Sequence, residues 1–521
     1  MALVPIKNIG KAGVVKDTEP ALLPENVMTD ALNVRFRNGS VETIKGESVL
    51  FSNSSIEAEY GIHWRRPDFS ANVTIKDGKA YFRTSAGTES VMLNSVDATY
   101  TGSRWMLDKF GGGYAVFINN GTTTPMYALY NDPTADLTFQ AFPGWNYIPG
   151  TTITAKVIRP LGYALVAANL TFFDGTDYVA APVTIRISTQ AIIGGFPTVW
   201  QPGLTTDTAD ELEIDSDSAI VDMLELRGNM MIYSYSSIHM HSINNGIASV
   251  KPYIGGHGVM NPNCVVEFDN QHFVVDRNDI YVHNGSGKVD SVAEGVVKDF
   301  FYADMHESYL SSTFAIKNSK YREIWVCYAD TTSTTGKCNK AMIFNYVDKS
   351  WTFRTLPEVV SMFEAPELSP VPAGTFRYGK SDTILACNGT IRVLVMDSGY
   401  QMVTPSTGAL YNYSSYISRD KVFAGDPLSD NYIGGVGMVF KSTNSDDTVD
   451  VTITSQNVYD KAADYSNTSG RDLYTITPKS EAQGYKIDAR QLGRFLNYKI
   501  ASSDYWKLSY MALDINPAGR R

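Results

Sequence analysis

Apolar and polar residues alternate along most of this chain with a period of two, and the runs are short and broken by Asn-Gly, Asp-Gly and Asn-Ser pairs. That pattern predicts strands joined by tight turns, because side chains on a strand point to opposite faces in turn and these pairs accept positive φ angles. The clearest instance is 262–295. Val265 to Asn270 alternates, Asn270-Gln271 turns, His272 to Asp276 returns, Ile280 to His283 runs out again to Asn284-Gly285, and a fourth short strand lies near Lys288 to Val292. Four antiparallel strands in about that length make one blade of a β-propeller.

The same unit recurs. Val73 to Ile75 and Lys79 to Arg83 flank Asp77-Gly78, and Gly113 to Ile118 and Met126 to Tyr130 flank Asn119-Asn120-Gly121. Tyr163 to Phe173 and Tyr178 to Ile187 flank Asp174-Gly175, and Ala219 to Leu226 and Met230 to Ser234 flank Arg227-Gly228-Asn229. Ser312 to Lys317 and Arg322 to Tyr328 flank Asn318-Ser319, and Asp382 to Ala386 and Thr390 to Met396 flank Asn388-Gly389. Hairpins every ~40–60 residues predict an all-β propeller of six to eight blades, with a pair of β-sandwiches as the alternative.

Three segments depart from this rhythm. Residues 1–30 lack periodicity and read as an extended arm that docks on a neighbouring subunit or another protein. The stretch 291–305 has one apolar stripe, Val292, Val296, Val297, Phe300 and Phe301, which predicts a short helix. Residues 357–372 hold four prolines and read as a linker or excursion. Beyond 401, alternating runs at Val449 to Thr454, Tyr485 to Asp488, Arg494 to Ile500 and Trp506 to Asp514 predict a small terminal β-domain. The predicted division is an N-terminal arm and hairpin (1–52), a propeller (53–400) and a C-terminal β-domain (401–521). Trp325 and Trp351 lie in alternating runs and are predicted to fill blade cores; the Ile343 to Trp351 turn resembles the outer strand of a kelch blade.

Composition narrows the function. The 521 residues carry a net charge of -11, which excludes a nucleic-acid grip built from clustered Lys and Arg. Hydrophobic residues make up 43%, enough for a large core, and no run approaches the ~20 apolar residues of a membrane span. The first residues have no secretory pattern, so synthesis in the cytosol is expected. Cys264, Cys327, Cys338 and Cys387 have no C-x-x-C spacing and read as reduced core thiols, with a Cys327–Cys338 bridge as the alternative.

Candidate chemistry is sparse. Gly-x-Ser-x-Gly, the Walker loop and His-Glu-x-x-His are absent, so no catalytic residue and no cofactor are assigned. His239 and His241 lie two apart and share a strand face, as metal ligands can, yet no third ligand stands nearby in sequence and no metal site is assigned. The acidic run Asp207, Asp210, Glu211, Glu213, Asp215 and Asp217 lacks the order and glycine of a calcium loop and reads as a solvated loop.

Four stretches carry a family resemblance. Asp30 to Glu42 (DALNVRFRNGSVE), Val265 to Gly287 (VVEFDNQHFVVDRNDIYVHNGSG), Tyr321 to Tyr328 (YREIWVCY), and Gly493 to Ile500 with Trp506 to Ser509 resemble, in this order, stretches of the tail nozzle family of short-tailed bacteriophages, also called tail tubular protein B or head-stabilisation tail accessory proteins. The matches touch both ends and the middle of the chain; residues 196–218 and 357–374 fall outside them. The resemblance implies a structural virion protein and not an enzyme: a propeller protomer made in the host cytoplasm and carried in the virion tail. It would form a hexameric ring below the head-to-tail adaptor, contact tail fibres or a needle, and continue the channel through which DNA passes without specific binding. In such a ring the acidic run Asp207 to Asp217 would face the lumen, with Asp446, Asp447 and Asp450 as a second candidate. The alternative is a glycan-binding or glycan-cleaving propeller.

Overall fold

A computed structural model describes residues 4–520 except 51–57, 66–69, 77–78, 85–88, 92–104, 131–137, 204–208, 245–246, 372–374, 389–392, 405–406, 425–427, 445 and 467–472. Turn residues Asp77, Gly78 and Gly389, and Asp207 of the acidic run, lie outside the described residues.

Seven four-stranded antiparallel sheets follow one another. Their first strands are Tyr60–Arg65, Met106–Phe110, Thr152–Leu161, Ile220–Leu226, Val265–Phe268, Phe314–Asn318 and Ser361–Val371, and each touches the next, with the last touching the first. The chain is therefore a closed seven-bladed β-propeller, within the predicted range. Its last blade takes three strands from 361–396 and its fourth, Glu47–Val49, from near the N-terminus. Closing the ring with a distant strand joins both ends of the propeller through backbone hydrogen bonds.

The blades are apolar on both faces because each is sandwiched between two others. In Glu323–Tyr328, Ile324, Val326 and Tyr328 face a core shared with blade 5, while Trp325 and Cys327 face a core shared with blade 7. Trp325 and Trp351 are both buried. Trp351 lies between blades 5 and 6, its ring centre 4.7 Å from Phe344 and 6.4 Å from Phe273, with its Nε1 donating to Val292 O at 3.0 Å. The four cysteines are buried; Cys327 stands opposite Ala341 and Cys338 opposite Val359, so they do not face each other.

The second body has two sheets around a common core. One contains Val34–Arg37, Ser40–Thr43, Lys507–Arg520, Ser429–Lys441 and Gln483–Ile487; the other contains Asp30–Leu32, Ser415–Val422, Phe495–Ser502, Val449–Gln456 and Leu473–Ile476. Phe36, Val41, Val436, Met438, Leu496, Tyr498, Ile500, Trp506 and Leu508 are buried in one cluster with residues of blades 4 to 6. The chain crosses between the sheets at Asn33, whose φ of 57° suits a short polar side chain.

The expected split at 52 and 400 is thus crossed twice: residues 30–43 belong to the C-terminal body and 47–49 to the propeller. The arm also differs from its reading as a segment ordered only by a neighbour. Val4–Ile6 pairs with Leu513 to Met511, Ile6, Ile9, Val14, Val27 and Met28 are buried, and Val14 N donates to Trp351 O. Ile6, Ile9, Val14 and Met28 each join the shared core at a separate point, so the arm shows no period. Residues 357–372 are not a linker: Ser361–Val371 pairs with Thr375–Cys387 as the first strand of blade 7. The predicted helix is shorter than its stripe. Lys298–Asp304 is helical, and Asp17 of the arm supplies its N-terminal acceptors, taking the N–H of Asp299 at 2.8 Å and of Phe300 at 3.0 Å.

Candidate functional site

Three places concentrate polar chemistry inside this apolar scaffold: the joint between the two bodies, the axis of the propeller and the seam between blades 4 and 5. At the joint, Arg35 from the first hairpin, Glu47 from the closing strand, Glu323 and Arg354 from blade 6, and Asp397 from blade 7 are all buried. Arg35 holds Glu323 through two parallel contacts, Nε to Oε1 at 2.5 Å and Nη2 to Oε2 at 3.0 Å, and its Nη2 also reaches Asp397 at 3.1 Å. Arg354 bonds the other Asp397 oxygen at 2.8 Å and Glu47 at 2.6 Å. Trp325 Nε1 donates to Glu323 Oε2 at 3.0 Å, and the Arg35 guanidinium lies 3.6 Å from the Tyr321 ring centre. The two guanidiniums, flanked by these carboxylates, are held more firmly protonated than usual despite burial. Burial raises the Glu47 carboxyl and the adjacent Arg354 opposes the rise.

On the axis, Arg159 of blade 3 reaches Asp222 of blade 4 at 2.9 Å and Asp108 of blade 2 at 3.8 Å, and donates to Asn263 Oδ1 at 3.1 Å. The Tyr60 hydroxyl from blade 1 is pushed up to about 12 by burial. Next to this cluster, meeting it at Asn263, is a cavity of about 900 Å³ whose walls come from all seven blades. Lys156, Lys337, Asn120, Thr122, Ser311 and Glu59 are among its polar lining.

A third polar group is sealed between blades 4 and 5. His272 Nε2 donates to Glu225 O at 3.1 Å, which leaves Nδ1 to accept from the Tyr233 hydroxyl at 2.6 Å. The Tyr233 oxygen then accepts from His283 Nε2 at 2.7 Å, so the His283 Nδ1 is the bare nitrogen, buried without a partner. Burial depresses His272 to about 3, with His283 beside it adding to the effect, and His283 to about 4. Both rings are neutral hydrogen-bonding parts of the core.

The residues singled out from sequence fall elsewhere. His239 and His241 are buried on one strand face, where their ring nitrogens meet the carbonyls of Asp215 at 2.9 Å and Ser249 at 3.2 Å. Among the described residues no three His, Cys, Asp or Glu side chains are placed to hold a metal ion, and no helix is long and apolar enough to cross a membrane. The acidic run is not a loop throughout. Asp210–Glu213 forms the fourth strand of blade 3, because Leu212 packs on the core between blades 3 and 4 and Ile214 is buried there. Glu211 is committed to buried Arg186 at 2.8 Å, whereas Glu213, Asp215 and Asp217 are exposed. Asp447 turns inward to Ser442 and Asn444, while Asp446 and Asp450 are exposed. Sequence reading missed Arg35, Glu323, Arg354 and Arg159. The available signal was a charge inside an otherwise apolar strand, as in VRFR and EIWVCY.

No protein-family model and no curated protein matches this chain. Among solved structures it is similar to a candidate 6-phosphogluconolactonase from Bacteroides fragilis, at 12% identity and a TM-score of 0.35 over 64% of this chain and 88% of that one. It is also similar to Raptor from Chaetomium thermophilum, at 8% identity and a TM-score of 0.38 over 66% of this chain, which spans 28% of that one. The propeller assignment rests on this chain's own strand pairing.

Proposed function

We propose that this chain is the protomer of a tail nozzle, a structural virion protein that assembles as a six-fold ring below the head-to-tail adaptor and continues the DNA channel. The observation that carries the reading is where the four resembling stretches lie. They are scattered over nearly 500 positions of sequence but form one contiguous framework. Arg35 of the first stretch grips Glu323 of the third, Val41 and Glu42 of the first pair with Leu508 and Lys507 of the last, and Phe273 of the second stacks on Phe344, which pairs with Ile324 of the third. The resemblance therefore follows the joint that holds propeller and second body in one fixed geometry, which suits a load-bearing part of a particle.

Apolar side chains left uncovered by this chain support assembly. Blade 3 extends past its fourth strand, which pairs with Thr184 to Ile187 and reaches Val183 O through Ile214 N, so among the described residues no strand pairs with the outer edge from Tyr178 to Pro182. Tyr178 is 75% exposed and Val179 61%, and Ile192 and Ile193 near the opposite end of the blade are 82% and 75% exposed. Such residues mark contact surfaces when grouped, and in the ring they would meet the adjacent copy. Electron microscopy and mass measurement of the purified chain, alone and with its adaptor, test the proposal. Six-fold rings are expected for the wild type, and Val179→Asp with Ile192→Asp should give folded protein that no longer assembles. A strictly monomeric wild-type chain that hydrolyses sugars would replace this reading with that of a glycan-acting propeller.

A further inference from the structure

The axial cavity is not accounted for by a role in ring assembly, and its charge runs against that of the chain. The protein carries -11 overall, yet among the described residues that line the cavity the sole acid is Glu59, which is tied to Lys76 at 3.4 Å. Lys156 on blade 3 and Lys337 on the hairpin of blade 6 enter from different sides. Each ammonium has a backbone carbonyl, Gly121 O at 3.0 Å and Asn388 O at 2.9 Å, and neither has an ion pair among the described residues. An ammonium offers three donors, so each retains capacity for an anion.

A second feature fixes the wall beside Lys156. Asn120, 5% exposed, spends its Oδ1 on the backbone N–H groups of Thr122 at 2.9 Å and Thr123 at 3.0 Å. That turn sets Gly121 and Thr122 on the cavity wall, where Gly121 O holds the Lys156 ammonium. Thr122, Ser311 and Tyr235 also line the cavity. At about 900 Å³ the space lies within the range of small-molecule sites, about 300–1,000 Å³.

We infer that the mouth of the propeller axis binds a small hydroxyl-bearing anion, a sugar-sized molecule with one carboxylate or phosphate held by Lys156 and Lys337. The inference does not depend on the ring: a monomeric protein would hold the same site. Titration calorimetry at low salt with glucuronate, glucose 1-phosphate and neutral glucose tests it. At least one of the charged probes should bind, at least tenfold more tightly than glucose, and the tighter of the two identifies the anionic group. Lys156→Gln and Lys337→Gln should each weaken binding about tenfold with an unchanged melting temperature, and raising salt should weaken it further. Equal binding of charged and neutral sugars, no binding of either charged probe at millimolar concentration, or full affinity in the folded double variant would each overturn the proposal.

Discussion

The five-charge joint decides more of the stability than any exposed ion pair, because its members cannot rehydrate when one is removed. Arg35→Met should destabilise the protein by about 3–5 kcal/mol, since Glu323 and Asp397 would remain buried with a lost partner. Arg35→Lys should also fail to restore stability, because one ammonium cannot reproduce the two parallel contacts to Glu323. Trp325→Ala should cost a similar ~3–5 kcal/mol by leaving a cavity between blades 6 and 7. Chemical denaturation of the three variants checks these values, and a loss below about 1 kcal/mol for Arg35→Met would remove the joint from its central place. The histidines add a pH dependence. His63, His272 and His283 are depressed to about 4, 3 and 4, each mainly by burial. The unfolded chain therefore binds protons first, from about pH 6.5 downward, and stability is full above that pH and falls as pH drops toward 4, by up to about 1.4 kcal/mol per pH unit for each ring. Melting temperature measured from pH 8 to pH 4 should fall steadily below 6.5, less so in His272→Gln if that variant folds. These residues were only half legible in sequence: tryptophans in alternating runs announce a core, but a buried Arg or His is identified only when its partners from other blades are known.

At the scale of elements, turn chemistry was the reliable guide. Asn38-Gly39, with φ of 52° and 75°, joins Val34–Arg37 to Ser40–Thr43 as its sequence predicts, and the hairpins of blades 2, 3, 4 and 6 stand where turn pairs placed them. Proline misled at 357–372. Ser361–Val371 is the innermost strand of blade 7 and pairs on one side only, so half of its N–H groups need no ladder partner and Pro366 and Pro370 are tolerated. The arm misled for a different reason, since a segment that joins the core at separate points has no period to detect. It makes its own prediction. Deleting Met1 to Val27 would strip Ile6, Ile9, Val14 and Val27 from the core, the helix of Asp17, and Arg419 of its acceptors Pro20 O and Leu23 O. The truncated chain should therefore lose cooperative folding by circular dichroism and heat denaturation. A truncated chain with an unchanged melting curve would return the arm to a pure docking role.

For the whole molecule, two features lay beyond a linear reading: closure of the seventh blade by Glu47–Val49, and the sharing of one core between propeller and second body. Both are pairings between residues hundreds of positions apart, and no local pattern encodes them. They matter for charge, because a closed, rigid protomer fixes which carboxylates stand outward. In the proposed ring, DNA slides past a wall that must not bind it, and exposed carboxylates repel phosphates within a Debye length of about 8 Å at physiological salt. The structure divides the acidic run for this purpose. Glu211 belongs to the fold through Arg186, while Glu213, Asp215 and Asp217 are exposed near the fourth strand of blade 3. Glu211→Gln should lower the melting temperature and leave ejection unaltered per assembled particle. The triple change Glu213→Gln, Asp215→Asn and Asp217→Asn should leave folding and ring assembly intact and slow genome release from particles. The slowing should be largest at low salt and shrink as salt is raised, because added ions screen the attraction that a neutralised wall no longer opposes. Release kinetics followed by DNA-binding dye at several salt concentrations measure it, and identical rates for wild-type and triple-variant particles at every salt would place these carboxylates on the outside of the ring.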